Sequence, residues 1–510
     1  MTILQFGIPI FALSIGVAAT GMAGNDGEGE VRSPVVAGQF YPESATVLKS
    51  AIEKFMEDAL PPQVQKPLAI VVPHAGYIYS GQVCADGWNQ VRGGGYDVIV
   101  IFGTNHTAPG LRKIALYPGG GFRTPLGTAV VDRDLTAAIK AASSDCILDK
   151  EPHVREHSIE VQIPFAQRLF PQARIVAGIV GDADPALCNR FGAALASVLK
   201  GRRALIVASS DLSHYPSAAE AEMVDMNTLE AVTTLDPAVL HTTIQTQMAR
   251  RIPNLSTCAC GEAPIMAAMA AAKAMGATGG RVVSYAHSGN LPIGDRQRVV
   301  GYGAVVLAAD VKGMTAVPPA ESGRTEESIS AADRKYMLHL ARETITQYLT
   351  IKMVPLPRFS SPLLREERGI FVTLKKRGNL RGCIGRMVPD RPLGELVGSV
   401  ALQSAFEDPR FSPVTAGELA DLEVEISVLT PMKQVSGPDD IVVGRDGVLL
   451  QQRGKSAVFL PQVAPEQGWS RDEMLDHLSQ KAGLPAKAWR EPGACFLTFQ
   501  AIVFGESGHH

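Results

Sequence analysis

The sequence lacks several things that would narrow its function at once. Its charge nearly cancels: 48 Lys and Arg against 51 Asp and Glu leave a net charge of -3 in 510 residues. Nothing in that balance recruits nucleic acid or an anionic membrane. Cysteine is scarce, seven residues without a repeated spacing, which argues against a disulfide scaffold and fits a reducing compartment. There is no internal repeat. The first 31 residues hold no basic side chain; the first is Arg32. A secretory signal normally opens with Lys or Arg, yet residues 1–24 are uncharged and apolar, with small residues at Val17-Ala18-Ala19 and Gly21-Met22-Ala23. Gly7, Pro9 and Gly16 interrupt the run, which is marginal for a spanning helix. An atypical export signal, a short anchor and a start codon placed too early all remain open. The segment is set aside from the fold, and cysteine usage places the folded part in the cytoplasm.

What is present is a globular composition, 46% hydrophobic and 19% charged, in a chain too long for one ordinary core. Four units are expected: an apolar N-terminal segment with a Gly-rich joint (1–30), a first domain (31–310), a linker (311–331) marked by Val317-Pro318-Pro319, and a second domain (332–508). Strands and helical patterns alternate in the first domain, as in βαβ units, so it reads as α/β with a largely parallel sheet. The second mixes strands and helices irregularly and reads as α+β.

The first domain is organised around Leu68-Ala69-Ile70-Val71-Val72-Pro73-His74, a buried strand cut by proline with a histidine directly after it. Val98 to Phe102 is a second such strand, followed by Gly103-Thr104-Asn105-His106. Ala204 to Ala208 is a third, followed by Ser209-Ser210-Asp211 and His214. Ligands in open α/β sheets bind beyond the carboxyl ends of the strands, so three polar clusters there suggest one site. The candidate metal ligands are His74, His106 and Cys260. Two imidazoles and a thiolate suit iron, copper or zinc, not magnesium or calcium. His214 is a candidate base with Asp211 beside it. His157 and Glu160, spaced i and i+3 at a helix start, could face the same crevice, and Ser158 to Phe170 carries apolar residues at helical spacing, interrupted by Pro164. Each residue also has a plainer reading. The histidines could be loop-end hydrogen bonders, Cys260 a small buried hydrophobe, and Asp211 an N-cap for the segment from Leu212. Glu160 could pair with Arg155.

Pro73-His74-Ala75-Gly76-Tyr77, Gly103-Thr104-Asn105-His106, Glu156-His157-Ser158-Ile159-Glu160, Ser209-Ser210-Asp211 with His214, and Cys260-Gly261-x-x-Pro264-Ile265 resemble, in content and order, the Memo family, which includes AmmeMemoRadiSam system protein B. The resemblance implies a fold like the class III extradiol dioxygenases (LigB-like) and makes His74, His106 and Cys260 the metal ligands. It puts His214 at the dioxygenase base and draws in His157, Glu160 and Tyr77 around the site. Cys260 stands where those enzymes use a carboxylate; a thiolate is softer and oxidisable, which favours iron or copper over zinc and redox chemistry over ring cleavage.

In the second domain Leu380-Arg381-Gly382-Cys383-Ile384-Gly385 is the most distinctive run, with Lys375, Lys376, Arg377, Arg381 and Arg386 near Cys383 in sequence. Those cations would lower the thiol pKa if they gather in space; the alternative is a hairpin with a solvated basic turn. With Ala405 to Phe411 and Val424 to Pro431, the run resembles the AMMECR-type domain, AmmeMemoRadiSam system protein A. That likeness implies a cleft lined by Arg381, Cys383, Arg410 and Glu425, and no reaction. The two resemblances together imply a metal-dependent redox protein working beside a radical-SAM partner. The competing expectation is a non-catalytic scaffold that binds metal or a peptide. Nucleic acid is not expected as a partner.

Overall fold

The computed structural model describes residues 29–311, 329–359 and 361–506. The apolar run at 1–24 and nearly all of the expected linker lie outside the described residues. No helix among the described residues is long and apolar enough to cross a membrane.

The first domain contributes strands β1 (Val31–Arg32), β2 (Gln65–Val72), β3 (Val98–Thr104), β4 (Ile114–Leu116), β5 (Gly121–Thr124), β6 (Gly127–Val130), β7 (Cys146–Leu148), β8 (Arg174–Val180), β9 (Ala204–Ser209), β10 (Gly279–His287) and β11 (Gly301–Asp310). Its helices are α1 (Ala45–Glu57), α2 (Tyr77–Asn89), α3 (Arg133–Ala142), α4 (Glu151–Val154), α5 (Ile163–Leu169), α6 (Pro185–Val198), α7 (Ala218–Thr233), α8 (Pro237–Ala249) and α9 (Glu262–Ala274). Eight strands form one sheet in the order β10-β11-β2-β9-β3-β8-β4-β7. Its centre, β2-β9-β3-β8, is parallel, and β11 and β4 run antiparallel to it on either side. Strands β1, β5 and β6 make a separate small sheet.

Each parallel strand carries a continuous apolar run (68–72, 98–102, 175–177 and 204–208) because both faces are covered. Val98, Val100 and Phe102 point to a core shared with α6, α8 and α9, while Ile99 and Ile101 join a second core under α1, α2 and α5. Alternation along one strand thus feeds two layers. Helix α2 begins at Tyr77, five residues before the helical pattern predicts (Gln82). Its first turns hold Tyr77, Ile78 and Tyr79 and a glycine, Gly81, where a Cβ would lie 2.5 Å from the Phe55 ring. That close packing against α1 selects residues that hide the helical signal. Ser158 to Phe170, expected as one helix, is a 3-10 turn at Glu160–Gln162 followed by α5, with Pro164 in the first turn of α5 where its missing N–H costs nothing.

The second domain contains α10 (Ala331–Thr350), β12 (Ile370–Lys376), β13 (Asn379–Arg386), α11 (Leu393–Phe406), β14 (Leu422–Leu429), β15 (Lys433–Val435), β16 (Gly447–Gln452), β17 (Lys455–Phe459), α12 (Val463–Gln467), α13 (Arg471–Lys481), β18 (Cys495–Phe499) and β19 (Ala501–Gly505). Two four-stranded antiparallel sheets, β13-β12-β14-β19 and β15-β18-β16-β17, each carry their own core. The α+β expectation holds.

Candidate metal centre

Strands β2, β9 and β3 are neighbours and parallel, so their carboxyl ends deliver His74, the Ser209–Asp211 run and His106 to one place. Cys260 comes to the same place from the residues before α9. Its Sγ lies 3.3 Å from His74 Nε2. The His74 and His106 rings stand 5.2 Å apart, and His157 stacks on His106 at 4.7 Å and meets His74 edge-on at 5.3 Å. Two groups have donor atoms all within 4.8 Å of one another: His74, His106 and His157, and His74, Asp211 and Cys260.

Hydrogen bonds fix how the two imidazoles present themselves. Ser209 Oγ donates to Ser158 O at 2.6 Å, so its proton is committed. His74 Nδ1, 3.3 Å from that oxygen, is therefore the donor, and Nε2 is the nitrogen that faces Cys260. His106 Nδ1 donates to Glu156 Oε1 at 2.9 Å, so Nε2 is its remaining ring nitrogen. This is how metal-binding histidines are held, with the far nitrogen on a carboxylate or hydroxyl. Asp211 does not cap the segment from Leu212. Its Oδ1 accepts from the backbone N–H of His74 at 2.8 Å and of Ala75 at 3.1 Å, clamping the turn after Pro73.

The electrostatics are those of a closely coupled buried cluster. Burial would raise the Cys260 thiol, but the charge of His74 and bonds from His106, His214 and His74 bring it well below the ordinary thiol range. Burial would likewise raise Glu156; bonds from His106 and the charges of His106 and His157 hold it at about 2. His106 is raised to about 10 because its bonds to Cys260 and Glu156 outweigh burial. Burial, and then the charge of His74, depress His157 to about 3. Asp211 is raised, mainly by burial. His214 is raised: the Cys260 sulfur overcomes burial, and its Nε2 is buried without a hydrogen bond of ordinary geometry.

These residues fit a transition metal. A tetrahedral ion with sulfur at 2.3 Å and nitrogen near 2.05 Å puts the two donors about 3.6 Å apart, close to the Cys260–His74 separation. Imidazole with thiolate is a set for a borderline or soft ion; among the described residues His74 belongs to both donor groups, whereas His106 and Cys260 share neither.

Other expected site residues lie elsewhere. Glu160 is fully buried and turned toward the N-terminal strand: it accepts from Arg32 Nη1 at 2.7 Å, from the amides of Val35 and Val36, and from Tyr41 Oη. The i, i+3 pairing with His157 fails because the 3-10 turn begins between them. Tyr77 is core: its ring packs on Tyr41, Phe55 and Phe165, and its hydroxyl donates to Val161 O. In the second domain Arg381 grips Glu418 and the Ser412 carbonyl. Asp408 joins the Cys383 amide to the Arg410 guanidinium, and Glu425 pairs with Lys375. Cys383 lies on a hairpin, β12–β13, as one of the two readings has it, and the cations near it in sequence are each paired with a carboxylate: Lys375 with Glu425, Lys376 and Arg381 with Glu418, Arg377 with Asp421, and Arg386 with Asp390. They form a lattice of ion pairs, not a basic patch on the thiol.

Sequence reasoning missed Glu156, Ser209, Ser158 and Gln162, whose Nε2 donates to both Pro73 O and Ser209 Oγ. Glu156 stands next to His157 in the chain, and an acid beside a histidine expected to face the crevice was the available signal.

Known proteins place the chain. The sequence profile described as Memo-like protein matches residues 32–306, and that described as AMMECR1 matches residues 338–504. A MEMO1 family protein of Nitrosopumilus maritimus is 33% identical over 281 residues, 54% of this chain and 98% of that protein. One of Caldivirga maquilingensis is 35% identical over 289 residues, again 54% of this chain and 98% of its own length. A crystal structure of an uncharacterized protein from Pyrococcus horikoshii shares 39% identity, covers 34% of this chain and 90% of that one, and has a TM-score of 0.31. The chain belongs to the Memo-like protein family and carries an AMMECR1 domain in the same polypeptide.

Proposed function

We propose that the first domain holds one iron or copper ion through His74, His106 and Cys260 and uses it for oxidation chemistry. The observation that carries this reading is the 3.3 Å approach of Cys260 Sγ to a His74 Nε2 whose opposite nitrogen is already engaged. Such an ion supplies a redox centre with coordination positions left for substrate or water. The chain's own residues do the rest. Glu156 and Ser209 orient the two imidazoles, Asp211 fixes the His74 turn, and His157 walls the crevice as a neutral ring. His214, buried beside the sulfur with an unengaged Nε2, is placed to hold or pass a proton. The fused AMMECR1 domain and the family likeness support work beside a radical-SAM partner.

Metal analysis of the purified chain against His74→Ala and Cys260→Ser tests the centre. The parent retains near-stoichiometric iron or copper and each variant loses most of it. Equal metal in all three overturns the reading. Metal that is retained but never changes oxidation state with added oxidant or reductant favours the scaffold instead.

A further inference from the structure

The two domains meet through charges that each lends the other. Asp86, on α2 of the first domain, has a side chain with no exposed surface; Arg358 of the second domain bonds both its oxygens at 2.8 and 3.1 Å. Glu395, in the first turn of α11, is equally buried. It takes Asn290 Nδ2 at 2.9 Å and Arg296 Nη1 at 2.7 Å, both from the loop between β10 and β11. Leu291, Val354 and Leu402 form an apolar cluster across the two domains, with Pro292 against Gly398 and Met353 set into a first-domain core. Carboxylates buried against a cation from the opposite surface mark complementary faces, not accidental contact.

One of these contacts leads to the candidate centre. The Arg296 side chain is held by Glu395, while its carbonyl accepts from the Ala218 amide at 2.9 Å. From there residues 296–301 pair antiparallel with 212–218: Val299 N–H to Pro216 O, Tyr215 N–H to Val299 O, Gly301 N–H to Ser213 O and Leu212 N–H to Gly301 O. His214 lies in the middle of that pairing. Arg298 covers the Tyr215 ring at 4.1 Å.

We propose that the AMMECR1 domain is a docked partner that needs no tether: it binds the Asp86 and 288–298 face of the first domain and, through Arg296, braces the ribbon that carries His214. Nothing in this depends on a bound ion, so it stands or falls apart from the metal reading. The relatives whose whole length matches only the Memo part show that this part occurs as a separate chain, and the face described here is where a free AMMECR1 domain would seat.

The test is a full-length chain with a protease site inserted between residues 311 and 329. After cleavage the halves co-elute, and the double variant Arg358→Ala, Glu395→Ala loses that co-elution. Amide hydrogen exchange on the uncut chain reads the brace. Peptides covering 212–218 and 296–301 exchange at least tenfold faster in Glu395→Ala, with Glu395→Gln intermediate, while β3 stays as protected as in the parent and reports an intact fold. Halves of the parent that separate on cleavage overturn the proposal. So does unchanged exchange in both peptides of a Glu395→Ala chain.

Discussion

At the scale of single residues, the centre depends on groups that touch no ion. Glu156 accepts from the His106 ring and also from the amides of His106, His157 and Ser158. Glu156→Gln keeps the shape and removes the charge that orients His106, so metal affinity should fall roughly 10- to 100-fold, as seen when such outer partners are lost. Competition against a chelator measures it. His287 gives a pH prediction. It is wholly buried, and burial, with Arg296 nearby, presses its pKa from 6.5 down to about 3. The folded chain therefore binds fewer protons there than the unfolded chain between those values. The stability is intact above pH 6.5 and is lost as the pH falls toward 3, at about 1.4 kcal/mol for each pH unit crossed. His287→Leu removes that contribution, so urea titrations across pH 7 to 4 should show a flatter decline in the variant. An identical slope refutes it.

At the scale of elements, helix α9 sets where the sulfur stands. Its Ala- and Met-rich face lies against α6 so closely that a Cβ on Gly192 would sit 2.7 Å from the Ala270 and Ala271 backbone. Gly192→Val should force the helices apart, lower stability by about 1–3 kcal/mol, and weaken metal retention through Cys260, read by melting and metal analysis. Stability and metal content like the parent's would show that α9 is not fixed there. The elements also show what the sequence discloses and what it withholds. Strands buried on both faces are legible as continuous apolar runs, and their ends point to His74, His106 and Asp211 from sequence alone. Partners chosen by the fold are not legible. Glu160 is claimed by Arg32, 128 residues away, and the cations near Cys383 are neutralised by acids from loops and a neighbouring strand. Local spacing describes a helix face only where a helix forms, and at His157 none does.

At the scale of the whole molecule, two domains share buried charge, so their stabilities are linked. Arg358→Ala leaves the Asp86 side chain, among the described residues, with the Leu60 amide alone. It should cost about 1–3 kcal/mol, the penalty of an underbonded buried group, and split one calorimetric transition into two; a single unshifted transition counts against it. Fold class is readable from pattern, but this shared surface is not, because its residues are scattered from Asp86 to Leu402. The strand order has a consequence of its own. Strands β2, β9 and β3 occupy the third, fourth and fifth places of eight, so fraying at either rim must pass other strands before it reaches them. An ion seated there would leave through motions of the short segments beyond those strands, and sheet unzipping would release it only when the domain itself came apart.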